Sequence, residues 1–196
     1  VWEYGNGDFG NQGVHEADKA RWGIQKSLPT SVVTVGGRFG YKDDGETPNT
    51  ELALYDFGDA HMIFEVRGLP TGNPFPHGFA KDRKVGDNYV GNIWWGEEGV
   101  VASSSYSGGV AFDRDGKKDA EFKGGGDEGH FDNFVKEVRS HKISDLNCPV
   151  EEGHLSAALC HLANISYRLG RETPFDADIQ AFGGDKDATE ALARMK

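Results

Sequence analysis

The feature that most restricts the fold is the segregation of strand-like and helix-like segments along the chain. A short helical pattern over Val14–Ile24 comes first, and runs of alternating or β-branched residues follow it without helical spacing between them. The last third of the chain is again helical in pattern. Strands and helices therefore do not alternate as they do in parallel sheets. The sequence predicts an α+β fold: a mostly antiparallel, open-faced sheet with helices packed on one face.

The predicted strands are short and are separated by turn residues. Asp56-Phe-Gly-Asp59 is typical of a turn, so the two runs that flank it should form a hairpin. Leu69–Asp87 is rich in Pro and Gly and is predicted to be a long irregular excursion over the surface. Strands are expected over Ser31–Val35, Glu51–Asp56, His61–Val66, Asn88–Trp95, Gly99–Ser103 and Gly109–Asp113.

The strongest helical pattern runs from Val150 to Leu169. It carries a stripe of leucines, and Gly170 follows at the position of a C-cap. The stripe consists of Leu155, Leu159, Leu162 and Leu169. Another helix is expected around Phe131, Phe134, Val135 and Val138, and a last short one over Asp185–Met195, capped by Asp185 or Asp187.

Composition excludes several classes of function. The formal net charge of −11 and the sequence pI near 5.0 oppose binding to nucleic acid or to anionic lipid. No apolar run is long enough for a transmembrane helix, and Val1 does not begin a secretory leader. Cys148 and Cys160 are expected as thiols in a reducing compartment, because both lie in or beside one helical segment.

Patterns for common phosphate and metal sites do not fit. Gly124-Gly-Gly126 precedes a helix, but Asp127 and Glu128 would repel a phosphate there. His154 and His161 share a helix face at a spacing of seven, whereas helical metal ligands usually stand three or four apart. We expect no metal site.

A group of polar residues around a glycine-rich turn is the candidate functional site. The group consists of Asp8, Asn11, Gln12 and His15. If the turn before Val14 is already helical, Asn11 and His15 project from one face, where a substrate hydroxyl could contact both. An imidazole, with an ordinary pKa of about 6.5, suits general-base work. Capping or packing is the alternative role for such a His.

Several segments resemble the Gfo/Idh/MocA oxidoreductases, named for glucose-fructose oxidoreductase, inositol dehydrogenase and a rhizopine-catabolism protein. The most specific match is a glycine-rich turn that leads to Gly13-Val-His15 and then to Asp18-x-Ala-Arg-Trp22. Further segments resemble strands of a bacterial branch and the two closing helices, in the family's order. They are Gly37–Tyr41, Asp43–Thr50, Tyr89–Gly96, His130–Arg139, Glu151–Ala158 and Tyr167–Gly170.

The resemblance covers nearly the whole chain and implies its place in a longer protein. The family joins an N-terminal Rossmann domain, which holds NAD or NADP, to a C-terminal α+β domain whose sheet face builds the subunit interface. We expect residues 1–196 to be that C-terminal domain: a single substrate-binding and oligomerisation domain, without the Rossmann domain. The implied partners are a small carbohydrate substrate and further copies of the chain, as a dimer or tetramer. The expected location is the cytoplasm, or outside it if a twin-arginine leader precedes Val1.

The family oxidises a sugar or cyclitol hydroxyl, and a His takes the hydroxyl proton while hydride passes to the nicotinamide. His15 matches that His. The family usually has Asp four residues earlier, but here Asn11 stands there, without a charge to raise the pKa of a His. Either the proton relay differs, or Asp8 supplies the carboxylate. The expected catalytic residues are therefore His15 and Asn11. The expected substrate contacts are Asp8, Gln12, Arg38 and Tyr41.

Two other functions remain open from the sequence. Some relatives oxidise a glycoside to its 3-keto form, eliminate the aglycone and return the hydride, so a redox-neutral glycosidase is the first alternative. The second is a non-catalytic domain that dimerises through its sheet face, since the strands are rich in Gly, Trp and Tyr.

Overall fold

The computed structural model describes residues 1–40, 42–70, 72–82, 89–125, 128–171 and 180–195. Its helices are α1 (Gly7–Gly10), α2 (Gly13–Ile24), α3 (Glu128–Ser140), α4 (Val150–Leu169) and α5 (Lys186–Arg194), with 3₁₀ turns at Ile143–Asp145 and Gln180–Phe182. Its strands are β1 (Ser31–Gly37), β2 (Thr50–Asp56), β3 (His61–Arg67), β4 (Asn92–Gly96), β5 (Gly99–Ser103), β6 (Gly108–Asp113) and β7 (Lys118–Lys123). The α+β class is confirmed.

Two compact units make up the chain. Unit 1 comprises Val1–Thr71 and Leu155–Lys196, and unit 2 comprises Gly72–His154. Unit 1 holds a three-stranded sheet in the order β1-β2-β3, and unit 2 a four-stranded sheet in the order β4-β5-β6-β7. Every pairing in both sheets is antiparallel.

The sheet of unit 1 contains the predicted hairpin. β2 and β3 pair from Asp56 opposite His61, and the turn between them closes where the Phe57 N–H donates to the Ala60 carbonyl at 2.8 Å. β1 pairs along the other edge of β2, with Val32 opposite Tyr55. All of these strands are confirmed, each within two residues of its predicted bounds.

Helices cover both faces of this sheet, whereas the sequence predicted them on one face; β2 is the central strand and buries side chains on both sides. Side chains of α1, α2 and α4 share a buried cluster with Ala53 and Tyr55 of β2. Successive strand residues point to opposite faces, and Leu52 and Leu54 accordingly pack with α5 on the other side. The α5 helix is capped as expected, since the Asp185 carboxylate accepts from the Ala188 N–H at 2.8 Å.

The α4 helix has its predicted bounds, but its buried face differs from the leucine stripe. The buried residues are Ser156, Leu159, Cys160, Ala163 and Asn164, whereas Leu169 is 82% exposed. Polar contacts explain this orientation of the helix. Ser156 Oγ accepts from Arg21 at 3.0 Å, and Asn164 Nδ2 donates to the Asn6 carbonyl at 2.8 Å. The helix therefore presents small and polar residues to the sheet.

Unit 2 is built on a meander of four strands. β5 has its predicted bounds and β6 begins one residue early, but β4 starts only at Asn92, and residue 88 lies outside the described part. One face carries the buried Ala102 and Phe112, which pack with Phe75. The register places Trp94 and Phe122 on the opposite face. The sequence did not predict β7, because its residues are mostly charged.

The α3 helix of unit 2 forms where its aromatic spacing predicts it. It has no buried residue, and Phe131 and Phe134 are exposed. The side chain of Asn133 anchors it: Nδ2 donates to the Asp145 carbonyl at 2.5 Å, and Oδ1 accepts from the Asn147 N–H at 3.0 Å.

No helix in the described ranges has both the length and the apolar character needed to cross a membrane. Cys148 and Cys160 both fall within these ranges and form no disulfide. Burial raises the pKa of the Cys160 thiol to about 12.

Substituting Tyr55→Phe tests the joint between β2 and α4. The buried Tyr55 hydroxyl donates to the Leu159 carbonyl at 2.9 Å. Losing this buried bond should lower the free energy of unfolding by about 1–2 kcal/mol in denaturant titrations. Tyr4→Phe is the matched control, because Tyr4 is 91% exposed. Equal losses in the two variants would show that the Tyr55 hydroxyl contributes nothing specific.

Candidate functional site

The candidate site is the segment that joins α1 to α2. Asp8 lies in α1, Asn11 and Gln12 form the turn, and His15 lies in the first turn of α2. Asp8, Asn11 and His15 are exposed, and Gln12 is half-buried. The sequence hypothesis thus concerns one accessible segment of unit 1.

The local backbone differs from the helical turn considered in the sequence. α2 begins at Gly13, and Asn11 precedes it with φ −90° and ψ −86°, outside helical geometry. The helical spacing of four between Asn11 and His15 therefore does not apply. Instead, the Asn11 N–H donates to the Gly7 carbonyl at 3.1 Å, and the His15 N–H donates to the Gln12 carbonyl at 3.2 Å.

Buried contacts on either side hold this segment. Phe9 is buried, with its ring centroid 4.6 Å from that of Phe64 on β3. α2 starts against the same ring, since a Cβ at Gly13 would lie 3.2 Å from Phe64 Cζ. Packing against Phe64 therefore holds the backbone of the segment, while the side chains of Asp8, Asn11 and His15 are exposed.

Arg38 is engaged in its own loop. Its Nε and Nη2 bind the two carboxylate oxygens of Asp43 at 2.8 and 2.5 Å, and Nη1 donates to the Thr47 carbonyl at 3.0 Å. The guanidinium holds the pKa of Asp43 below its ordinary value. Thr47 also contacts α1, because a Cβ at Gly7 would lie 3.1 Å from Thr47 Cβ. Tyr41, the other expected contact in this loop, lies outside the described residues.

Sequence reasoning missed a buried carboxyl group, that of Glu51. Glu51 is the second residue of β2, and its side chain is only 2% exposed. Its Oε1 has no hydrogen-bond partner in the described structure. Burial, and secondarily the charge of Asp8, raise its pKa to about 8. Strand alternation could have found it, because Glu51 falls on the same face of β2 as Ala53 and Tyr55.

His61, Asp185 and Asp187 form a second polar group, with ligand atoms within 4.8 Å of one another. Imidazole and carboxylates are metal ligands, but these side chains have other contacts. Asp185 caps α5, and His61 Nε2 lies 3.5 Å from Asp187 Oδ2. We interpret the group as a helix cap with an adjoining polar pair.

Solved structures share this fold. The chain aligns with a protein from Thermotoga maritima classed as an oxidoreductase, with TM-score 0.55, 19% identity, and coverage of 81% of this chain and 44% of that one. It aligns with a protein from Klebsiella pneumoniae, also classed as an oxidoreductase, with TM-score 0.56 and 16% identity, over 92% of this chain and 51% of that one. It aligns with the WlbA dehydrogenase from Bordetella pertussis, in complex with NADH and UDP-GlcNAcA, with TM-score 0.50 and 17% identity, over 86% of this chain and 45% of that one.

At these identities the similarity establishes the fold alone. The chain spans about half the length of each of these structures. No family model and no curated protein matches the sequence.

Substituting Glu51→Gln tests the burial of this acid. The folded protein holds the Glu51 proton up to about pH 8, whereas the ordinary pKa is 4.5, so ionisation favours the unfolded chain over that interval. The wild-type free energy of unfolding should therefore lose on the order of 3–5 kcal/mol relative to the variant as the pH rises through it.

Denaturant titrations at a series of pH values measure this difference. Glu190→Gln is the control, because it removes an exposed glutamate from α5 of the same unit. Stability curves of wild type and Glu51→Gln that run parallel with pH would contradict the assignment.

Proposed function

We propose that this chain is the substrate-binding half of an NAD(P)-dependent oxidoreductase of the Gfo/Idh/MocA type, which oxidises a hydroxyl of a sugar, cyclitol or glycoside. The observation that carries the proposal is the fold. Proteins classed as oxidoreductases contain it as about half of their length, and it covers 81% and 92% of this chain in two of them. The motif around His15 adds the chemistry. We also propose that units 1 and 2 act together as one domain.

His15 is the proposed base that takes the hydroxyl proton from the substrate. It is exposed, and its backbone is tied to the turn through the Gln12 carbonyl. Asn11 and Gln12 carry amides on the same turn and can donate to or accept from sugar hydroxyls. In this proposal Asp8 supplies the negative charge that Asn11 lacks, and Arg38 shapes the adjoining loop by holding Asp43.

The described residues fit the substrate side of the reaction and not the cofactor side. A dinucleotide pyrophosphate binds at a helix N-terminus that follows a strand and a glycine-rich turn. Here α2 follows the short helix α1 and not a strand, and Gly13 at its start packs against Phe64. We therefore assign the nicotinamide to another domain of the complete protein, where it would accept the hydride. The NADH and the sugar nucleotide bound by WlbA agree with this class of chemistry.

Replacing His15→Ala in the full-length protein tests the proposed base. Loss of a general base typically lowers the rate 10²- to 10⁴-fold, so kcat for nicotinamide reduction should fall by about that factor. His161→Ala is the matched control, because it removes an exposed histidine from α4. Near-normal kcat in His15→Ala would remove His15 from the mechanism, and a full-length protein that reduces no nicotinamide with any polyol would refute the proposed function.

The open face of the unit 2 sheet is the proposed site of self-association. The register puts Trp94, Val101, Ala111 and Phe122 on this face, opposite to the buried Ala102 and Phe112. Phe122 is exposed and the others are half-buried. Apolar surface of this kind is typical of a face that another subunit covers.

Phe122→Glu should weaken this association, because it places a charge in an apolar contact without changing a buried residue. Light scattering should show a dimer or tetramer for wild type and a lower mass for the variant at equal concentration. Tyr4→Glu is the control, since Tyr4 is exposed in unit 1. A mass unchanged by Phe122→Glu would place the interface elsewhere.

A further inference from the structure

Glu51 occupies a position that a strand normally gives to an apolar residue. It points to the helix-covered face of the sheet, as Ala53 and Tyr55 do. It is almost fully buried, and within the described chain Oε1 accepts no hydrogen bond. An unpaired buried carboxyl destabilises a fold, and such groups concentrate at functional sites.

Helix α1, which carries Asp8, packs into the buried cluster that also contains residues of β2. Asn164 on α4 donates to the Asn6 carbonyl just before α1, and a Cβ built at Gly7 would lie 3.1 Å from Thr47 Cβ just before β2. Phe9 enters the same buried cluster as Ala53. These contacts fix α1 from three directions, so the relation between Asp8 and Glu51 is part of the packed structure.

The groups around Glu51 define the charge environment of its carboxyl group. Asp8 on α1 is the charged group that acts on it in the described structure. Tyr55 on β2 and Cys160 on α4 also interact with Glu51. Burial raises the pKa values of both side chains, so both are neutral near pH 7. Its strand neighbours, Gly36 on β1 and Val66 on β3, carry no charge.

Asp8 and Glu51 therefore differ in their access to water. Asp8 is exposed, so water solvates its charge, whereas Glu51 would have to ionise in the protein interior. When two carboxyl groups interact, the proton remains on the one whose charge is less well solvated. Burial therefore keeps the proton on Glu51 near neutral pH, and its pKa is raised to about 8.

We propose that Glu51 is a positioning residue for the candidate site: as a neutral group in the packed interior it leaves the negative charge beside the Asn11–Gln12 turn to Asp8. The proposal rests on the function proposed above, in which Asp8 replaces the carboxylate that Asn11 lacks. Ionisation of Glu51 places a second negative charge beneath α1 and disturbs the turn. The site then loses activity at alkaline pH because Glu51, and not a residue that touches the substrate, ionises.

Carbon-13 NMR of labelled carboxyl groups tests the pair without any substrate. In the full-length protein the Glu51 signal should titrate near pH 8. Asp8→Asn should lower that midpoint, because it removes the charge that helps to raise the pKa of Glu51, and the control Glu190→Gln should leave the midpoint unchanged. A Glu51 signal that titrates at its ordinary value of 4.5, or a midpoint that Asp8→Asn leaves in place, would overturn the proposal.

The pH profile of kcat/KM tests the link to the site. Glu51→Gln should shift the alkaline limb upward by about one pH unit or more. The profile is measured only where circular dichroism shows both proteins folded, so the shift does not report the stability lost when Glu51 ionises. Asp8→Asn should lower kcat on the order of tenfold, and adding Asn11→Asp to it should restore part of the loss. An alkaline limb that Glu51→Gln leaves in place would refute the positioning role.

The two tests separate the two proposals. If the full-length protein oxidises no polyol, the proposed function fails, and the NMR titration still decides whether Asp8 acts on Glu51. If oxidation occurs and Asp8→Asn leaves the titration of Glu51 unchanged, only the role of Glu51 is overturned.

Discussion

The packing of α4 on the sheet of unit 1 is the contact on which the candidate site depends. Leu159, Cys160 and Ala163 are buried in one cluster with Ala53 and Tyr55, and small side chains let the helix lie close to the strands. Within this contact the Tyr55 hydroxyl donates to the helix backbone. The same helix face reaches α2 through Ser156 and the segment before α1 through Asn164. One helix therefore positions the sheet and both ends of the polar segment.

Most of the polar groups inside this contact are paired, and their pairing gives it a definite geometry. Ser156 bridges Arg21 and Asp18, and Ser166 Oγ accepts from the Thr34 N–H at 3.0 Å. Directional bonds of this kind fix the rotation of a helix, which apolar packing alone leaves less defined. Thr34 Oγ1, Asn164 Oδ1 and Glu51 Oε1 lie buried without a hydrogen-bond partner among the described residues. Glu51 is the acid among these groups, and burial raises its pKa. Its cost to the fold suggests a use in the polar segment above it.

Sequence patterns predicted most of the elements because each has a strong local signal. The hairpin of β2 and β3 follows from its turn residues, and α4 follows from helical spacing and Gly170. The buried face of α4 could not be predicted, because hydrogen bonds to α1 and α2 determine it and not the leucines. β7 lacks an apolar face in sequence. At the site, the polar segment was found from its residue types. Glu51 needed the structure, since only the packing shows that its Oε1 has no partner among the residues described.

Unit 1 is discontinuous in sequence, because unit 2 is inserted between β3 and the body of α4. The bond from Tyr55 to Leu159 spans 104 positions, and contacts of such separation form slowly because much chain entropy must be lost first. On the ribosome, α4 emerges only after all of unit 2 has been made. Until then the sheet face that carries Ala53 and Tyr55 lacks its main cover. Such a face on a nascent chain is a surface for aggregation or for a chaperone.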